Sequence, residues 1–149
     1  MSLRKLVLFL IAAACLLTTL AAEAQWVMVA RAVSGRIERM TNKSGNGAGY
    51  DVATVVLMAN ADKVYQTALK SIQAHNDVTI NSSDAKTREI KFSKGDQIAS
   101  MQATPLGDKL TQLVVASNLV GAPDATSIVV QGVMKVCDEM KIVCTQSQE

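Results

Sequence analysis

Apolar positions along this 149-residue chain follow three different patterns, and each predicts a different element. Residues 6–20 form an almost unbroken apolar run. Val29, Val33, Ile37 and Met40 recur at three- to four-residue spacing, which predicts a short amphipathic helix. From Tyr50 onward, short strand-like runs alternate with turn residues. Val52, Val55, Val56, Leu57 and Met58 read as a strand covered on both faces. Asn60 then offers an N-cap, Asp62 suits the positive end of a helix dipole, and Val64, Ala68, Leu69 and Ile72 supply the apolar stripe of a helix ending near His75 and Asn76.

Four further strands are predicted near residues 78–82, 88–93, 97–104 and 109–117. They are separated by Asp84-Ala85-Lys86, Lys94-Gly95-Asp96 and Leu106-Gly107-Asp108, whose turn chemistry implies consecutive antiparallel hairpins. Ile90 and Phe92 alternate with Glu89, Lys91 and Ser93, so one face of the sheet packs and the other is wet. Pro105 falls at a strand end, where its missing donor costs little. Asp124 is placed to cap a last helix carrying Val129, Val130, Val133, Val136, Cys137 and Met140. The predicted order is β-α-β-β-β-β-α. It implies an α+β two-layer sandwich, with an antiparallel sheet of about five strands and two helices packed on one face.

Between residues 41 and 49 the chain is polar and glycine-rich, which predicts a flexible linker. The domain reading is therefore a leader over residues 1–24, a basic amphipathic arm with its Gly-rich linker over 25–49, and the α+β domain over 50–149. Arg4 and Lys5 precede the first apolar run, and Ala22 and Ala24 place small side chains at the minus-three and minus-one positions of a cleavage before Gln25. This combination predicts a secretory signal peptide and a periplasmic or secreted protein, with no stable membrane span after cleavage. An alternative reads residues 12–15 as a lipid-attachment box, anchoring the protein through Cys15. Leu16, Leu17 and Leu20 continue the apolar run past that cysteine, where a polar tether is normal.

Removing 24 of 149 residues leaves 125, a single-domain length, with 13 basic and 12 acidic side chains. That near-balance excludes a nucleic-acid footprint. Charge is uneven nonetheless. Residues 25–49 hold Arg31, Arg36, Arg39 and Lys43 against Glu38 alone. The plain reading is a solvated arm, and the sharper one is weak peripheral contact with anionic headgroups through Arg31, Arg36 and Arg39.

The run from Tyr50 to Met58, the segment Ala61-Asp62-Lys63-Val64-Tyr65-Gln66-Thr67-Ala68-Leu69 leading to Val78-Thr79-Ile80, the stretch from Asp84 to Phe92, and Gly107-Asp108-Lys109-Leu110-Thr111 resemble the helix-grip-like domains of bacterial envelope proteins. These include the domains of the BamC-type lipoprotein subunit of the outer-membrane assembly machinery, and small uncharacterised exported proteins are closer still. The resemblance implies a fold and an address, and brings no active-site residue with it.

Cys137 and Cys144 remain after leader removal, and an even count in an oxidising compartment favours a disulfide. In an unbroken helix their Cα atoms would stand roughly 10.5 Å apart, beyond the roughly 7 Å a bridge spans. A helix ending near Met140, with residues 141–144 folded back over its last turn, reconciles the two. Independent thiols and a redox pair are the alternatives. Redox pairs usually sit at Cys-x-x-Cys spacing on a helix N-terminus, which this pair does not.

His75 is the only histidine and reads as a solvated helix-end side chain. Neither zinc spacing nor a Ser-His relay is present, and Asp84, Asp96 and Asp108 read as turn residues rather than calcium ligands. These observations predict no enzyme activity, no cofactor and no metal. Two functions fit: a noncatalytic envelope binding or accessory protein acting through protein contacts, or a carrier of a small apolar or amphipathic ligand between sheet and helices. The carrier predicts a lined cavity of several hundred cubic ångströms.

Overall fold

In a computed structural model the chain divides between Val33 and Ser34, and the structure describes residues 34–43, 49–118 and 128–147. All belong to the second unit. The signal and cleavage residues Ala22, Ala24 and Gln25, together with Cys15, Arg31 and the Asp124 cap, lie outside the described residues.

Among the described residues the domain is α+β, in the order β1 (Arg36–Lys43), β2 (Gly49–Leu57), α1 (Ala61–Gln73), β3 (Thr79–Asp84), β4 (Glu89–Lys94), β5 (Gln97–Gly107), β6 (Leu110–Asn118), α2 (Ile128–Met140) and β7 (Thr145–Gln146). The strands form one sheet in the spatial order β3-β4-β5-β6-β2-β1-β7. Every neighbouring pair is antiparallel except β1 and β7, which run parallel. This corrects the expected sheet of about five antiparallel strands to seven strands of mixed direction. The two additions are β1 and β7, both on the same side of the sheet.

Over Ile37 and Met40 a strand, β1, stands where the amphipathic helix was expected, while Val29 and Val33 of that helix lie outside the described residues. Helical spacing would bury Ile37 and Met40 together. Instead Ile37 is fully buried while Met40 is 71% exposed, the two-residue alternation of a strand. Cross-strand pairing decides the matter, since Ile37 lies opposite Val55 and Met40 opposite Val52. Of the linker expected over residues 41–49, Thr41, Asn42, Lys43 and Gly49 are paired in these two strands and residues 44–48 lie outside the described residues, so the described domain begins at Ser34, ahead of the expected start at Tyr50.

One face of the sheet carries the core. Ala53, Val55 and Leu57 of β2 alternate with half-buried neighbours, as do Leu113 and Val115 of β6, and Ala99, Met101 and Ala103 of β5 alternate with mostly exposed ones. Val64, Tyr65, Ala68 and Ile72 of α1 and Val129, Val133 and Val136 of α2 cover that face. Each fully buried aliphatic side chain here contributes about 1.5–3 kcal/mol relative to an exposed one. Pro105 stays inside β5, but past the last residue that pairs with β4, so its missing N–H interrupts no bond to that strand.

Asn60 caps α1 as its sequence position suggests, its Oδ1 accepting from the backbone N–H of Asp62 at 2.9 Å and of Lys63 at 3.4 Å. Its Nδ2 also donates to the Asp108 carbonyl at 3.4 Å, tying the helix start to the β5–β6 turn. Asn60→Ala is expected to cost about 1 kcal/mol of stability, read as a lower urea midpoint with an unchanged slope.

At the other end of the layer α2 stops at Met140. Lys141 takes a left-handed φ of +57°, its N–H donates to the Asp138 carbonyl at 3.0 Å, and the Ile142 N–H donates to the Cys137 carbonyl at 2.9 Å. This paired arrangement is a Schellman cap, which reverses the chain direction. It brings the Cα atoms of Cys137 and Cys144 to 6.1 Å, and the two are joined by a disulfide. Beyond the bridge, β7 lies alongside the start of β1, Thr145 opposite Arg36 and Gln146 opposite Ile37.

Candidate functional site

A cleft of about 190 Å³ is lined by residues of both helices and of β4 and β5. Its walls follow from helical periodicity. Ala68, Ser71 and Ile72 recur at i, i+3 and i+4 on α1, with His75 just past its end, and Ile128, Gln131, Gly132, Lys135 and Val136 keep the same spacing on α2. Val78, Phe92 and Met101 complete the floor from the sheet. The buried or half-buried members are Ala68, Ser71, Ile72, Val78, Phe92, Met101, Ile128, Gly132 and Val136, while His75, Asp77, Lys94, Gln131 and Lys135 are exposed. Apart from Ser71, the cleft is therefore apolar at its base and polar at its rim.

Gly132 opens the α2 wall. A Cβ placed there would meet Val115 Cγ1 at 3.8 Å and Met101 Cε at 3.9 Å, ordinary contact distances, so the glycine leaves room rather than avoiding a clash. On the rim, Lys94 Nζ lies 2.5 Å from Asp77 Oδ2. The hydrogen bond from Lys94 is the main reason the Asp77 carboxyl is held below the usual carboxylate range, with a backbone hydrogen bond adding to it. His75 Nδ1 lies 2.8 Å from the Ser71 carbonyl oxygen, which fixes the ring against the last turn of α1.

A second polar feature sits at the opposite end of the sheet face. Asp51 is only 3% exposed, and Arg39 holds it with a two-pronged grip, Nε donating to Oδ1 at 3.0 Å and Nη2 to Oδ2 at 3.1 Å. Thr41 Oγ1 donates to Oδ1 at 3.0 Å. A carboxylate buried this deeply needs such partners, and removing the guanidinium would strand it. Of the arginines expected to offer peripheral contact, Arg36 is exposed on β1, whereas Arg39 is committed to Asp51 inside the domain.

Cys137 is fully buried and Cys144 nearly so, at the far end of α2 and outside the cleft lining. Asp84 makes the expected turn, its Oδ1 accepting from the Lys86 N–H at 2.7 Å. Among the described residues no group of three His, Cys, Asp or Glu side chains has a metal-holding arrangement. No helix among them is long and apolar enough to cross a membrane. Sequence reasoning placed His75 as a solvated helix-end residue but did not join it to Lys94, Asp77 and Lys135. The available signal was the paired i, i+3, i+4, i+7 stripes, which turn polar on one side.

No protein-family model matches the chain, and no curated protein matches its sequence. Among solved structures it is similar to CalU16 of Micromonospora echinospora, with a TM-score of 0.50 and 13% identity over 70% of this chain and 83% of that one. A conserved protein of unknown function from Enterococcus faecalis gives 0.49 at 10% identity, over 70% and 75% of the two chains. The Zhui aromatase/cyclase from Streptomyces sp. R1128 gives 0.38 at 14% identity, over 70% and 85%. At these identities the likeness is one of fold alone.

Proposed function

We propose that this protein is a noncatalytic binding protein of the cell envelope whose cleft between helices and sheet takes a small apolar or amphipathic ligand. The observation that carries the reading is the cleft itself, with an apolar floor drawn from α1, α2, β4 and β5 under a polar rim. Its 190 Å³ is below the several hundred cubic ångströms anticipated for a carrier. An apolar cavity of about 150 Å³ accommodates a benzene-sized molecule, so the ligand's buried part has about six carbon atoms. The envelope address rests on the leader-like residues 1–24 and on the buried disulfide, which suits an oxidising compartment.

Titration of the full chain with 1-hexanol, followed by amide chemical shifts, tests the reading. Shifts centred on Gly132, Ile72 and Phe92 are expected, and Gly132→Met should abolish them by filling the cleft. Gly132→Ala serves as the folded control, expected to gain about 0.4–1 kcal/mol of stability because alanine fits the helix and the space. Hexanol shifts scattered elsewhere, or none, would sink the proposal.

A second reading has its own support. Met40, Tyr50 and Ile98 are 71%, 50% and 59% exposed on the face turned away from the helices, an apolar surface suited to protein contact. Native mass spectrometry of protein taken gently from its envelope separates the two, since a bound polypeptide favours this surface and a bound small molecule favours the cleft. The denatured mass of the same sample checks for a chain beginning at Gln25.

A further inference from the structure

We infer that the cleft's ligand carries an anionic head on its short apolar body, an inference that rests on the binding reading above. Ser71 is the one polar residue among the buried lining, and no charged side chain lies below the rim, so a charged end must lie at the rim. Three side chains that are charged at neutral pH line that rim: Asp77, Lys94 and Lys135. Asp77 and Lys94 neutralise each other at 2.5 Å. Lys135 makes no ion pair among the described residues, although Asp138 and Glu139 follow it by three and four positions on the same exposed side of α2. Among the described residues the rim therefore holds one lysine free of any ion pair at the mouth of the pocket, while Asp138 and Glu139 lie outside the cleft lining. A carboxylate gains from the lysine's charge, a neutral alcohol gains nothing from it, and an ammonium group is repelled.

The magnitude is limited because Lys135 is solvent-exposed, and an exposed pair of opposite charges contributes about a two- to fivefold gain in affinity. The experiment is a titration at low salt, where exposed charges are screened least. Hexanoate, hexanol and hexylammonium are compared on the full chain and on Lys135→Gln, with binding read from the Gly132 amide. Hexanoate is expected to bind about two- to fivefold tighter than hexanol, and Lys135→Gln is expected to bring it down to hexanol's affinity. Equal affinities for hexanoate and hexanol, a preference for hexylammonium, or a hexanoate preference that survives Lys135→Gln would each overturn the anionic head while leaving the cleft as a binding site. Absence of binding by all three compounds overturns the cleft reading itself.

Discussion

Gly35→Ala is expected to lower the unfolding free energy of the domain by about 3 kcal/mol or more, a large fraction of what a domain of this size possesses. Two independent penalties meet at this residue. Its φ is +78°, in the left-handed region where a side chain costs about 1–2 kcal/mol. An ideal Cβ there would stand 2.3 Å from the Val143 carbonyl oxygen, a backbone atom that no rotamer change can move. Nor can Gly35 withdraw. Its N–H donates to the Val56 carbonyl at 2.8 Å, and its own carbonyl accepts from the Thr145 N–H at 2.8 Å. Relieving the clash means giving up hydrogen bonds worth about 1 kcal/mol each. Gly95 is the internal control, with φ +58° and nothing within 4 Å of its virtual Cβ. Gly95→Ala should show the conformational penalty alone, about 1 kcal/mol. Urea midpoints decide the matter, and equal losses at the two glycines would remove the Val143 contact from the account.

Replacing both cysteines with alanine is expected to cost about 2.5 kcal/mol, the chain-entropy value for the short loop that the bridge between Cys137 and Cys144 closes. The loss should also have an address. The bridge delivers residues 142–147 to the sheet edge, where the Thr145 N–H donates to Gly35 and the Ser147 N–H to the Ile37 carbonyl at 3.1 Å. β7 has only two residues and little buried surface of its own to hold it. Amide exchange at Thr145 and Ser147 should accelerate well before that of β2 and β6 in the doubly substituted protein. If both amides keep their protection, the Schellman cap and the Gly35 junction suffice without the bridge. Gly35 and Cys144 act on one junction, so the three substitutions combined should cost less than the sum of their separate effects.

The difference between the helix expected over the arm and the strand observed has a specific origin. Val33, Ile37 and Met40 satisfy a helical period, and nothing within that window opposes it. β1 is a strand because β2 supplies its hydrogen bonds and because Ile37 meets Val55 across the pair, choices made outside the window. The burial of Asp51 has the same origin. By itself it is an acidic residue at the start of a strand. Its partners Arg39 and Thr41 arrive from β1, twelve and ten positions away.

Elements with local signals were legible in the order of residues alone. Asn60 stops one segment and starts α1, the turns at residues 84–86, 94–96 and 106–108 separate the hairpins, and alternation in β4 assigns its wet and dry faces. Two cysteines too far apart for a helix required the chain to turn back after Met140. Features that depend on contact between distant segments emerged from packing. The parallel seating of β7 on β1, the need for glycine at position 35 and the cleft that gathers His75, Asp77, Lys94 and Lys135 all belong here. Short-range periodicity constrains which face a side chain presents, while the partner on the other side of that face is set by packing across the whole chain.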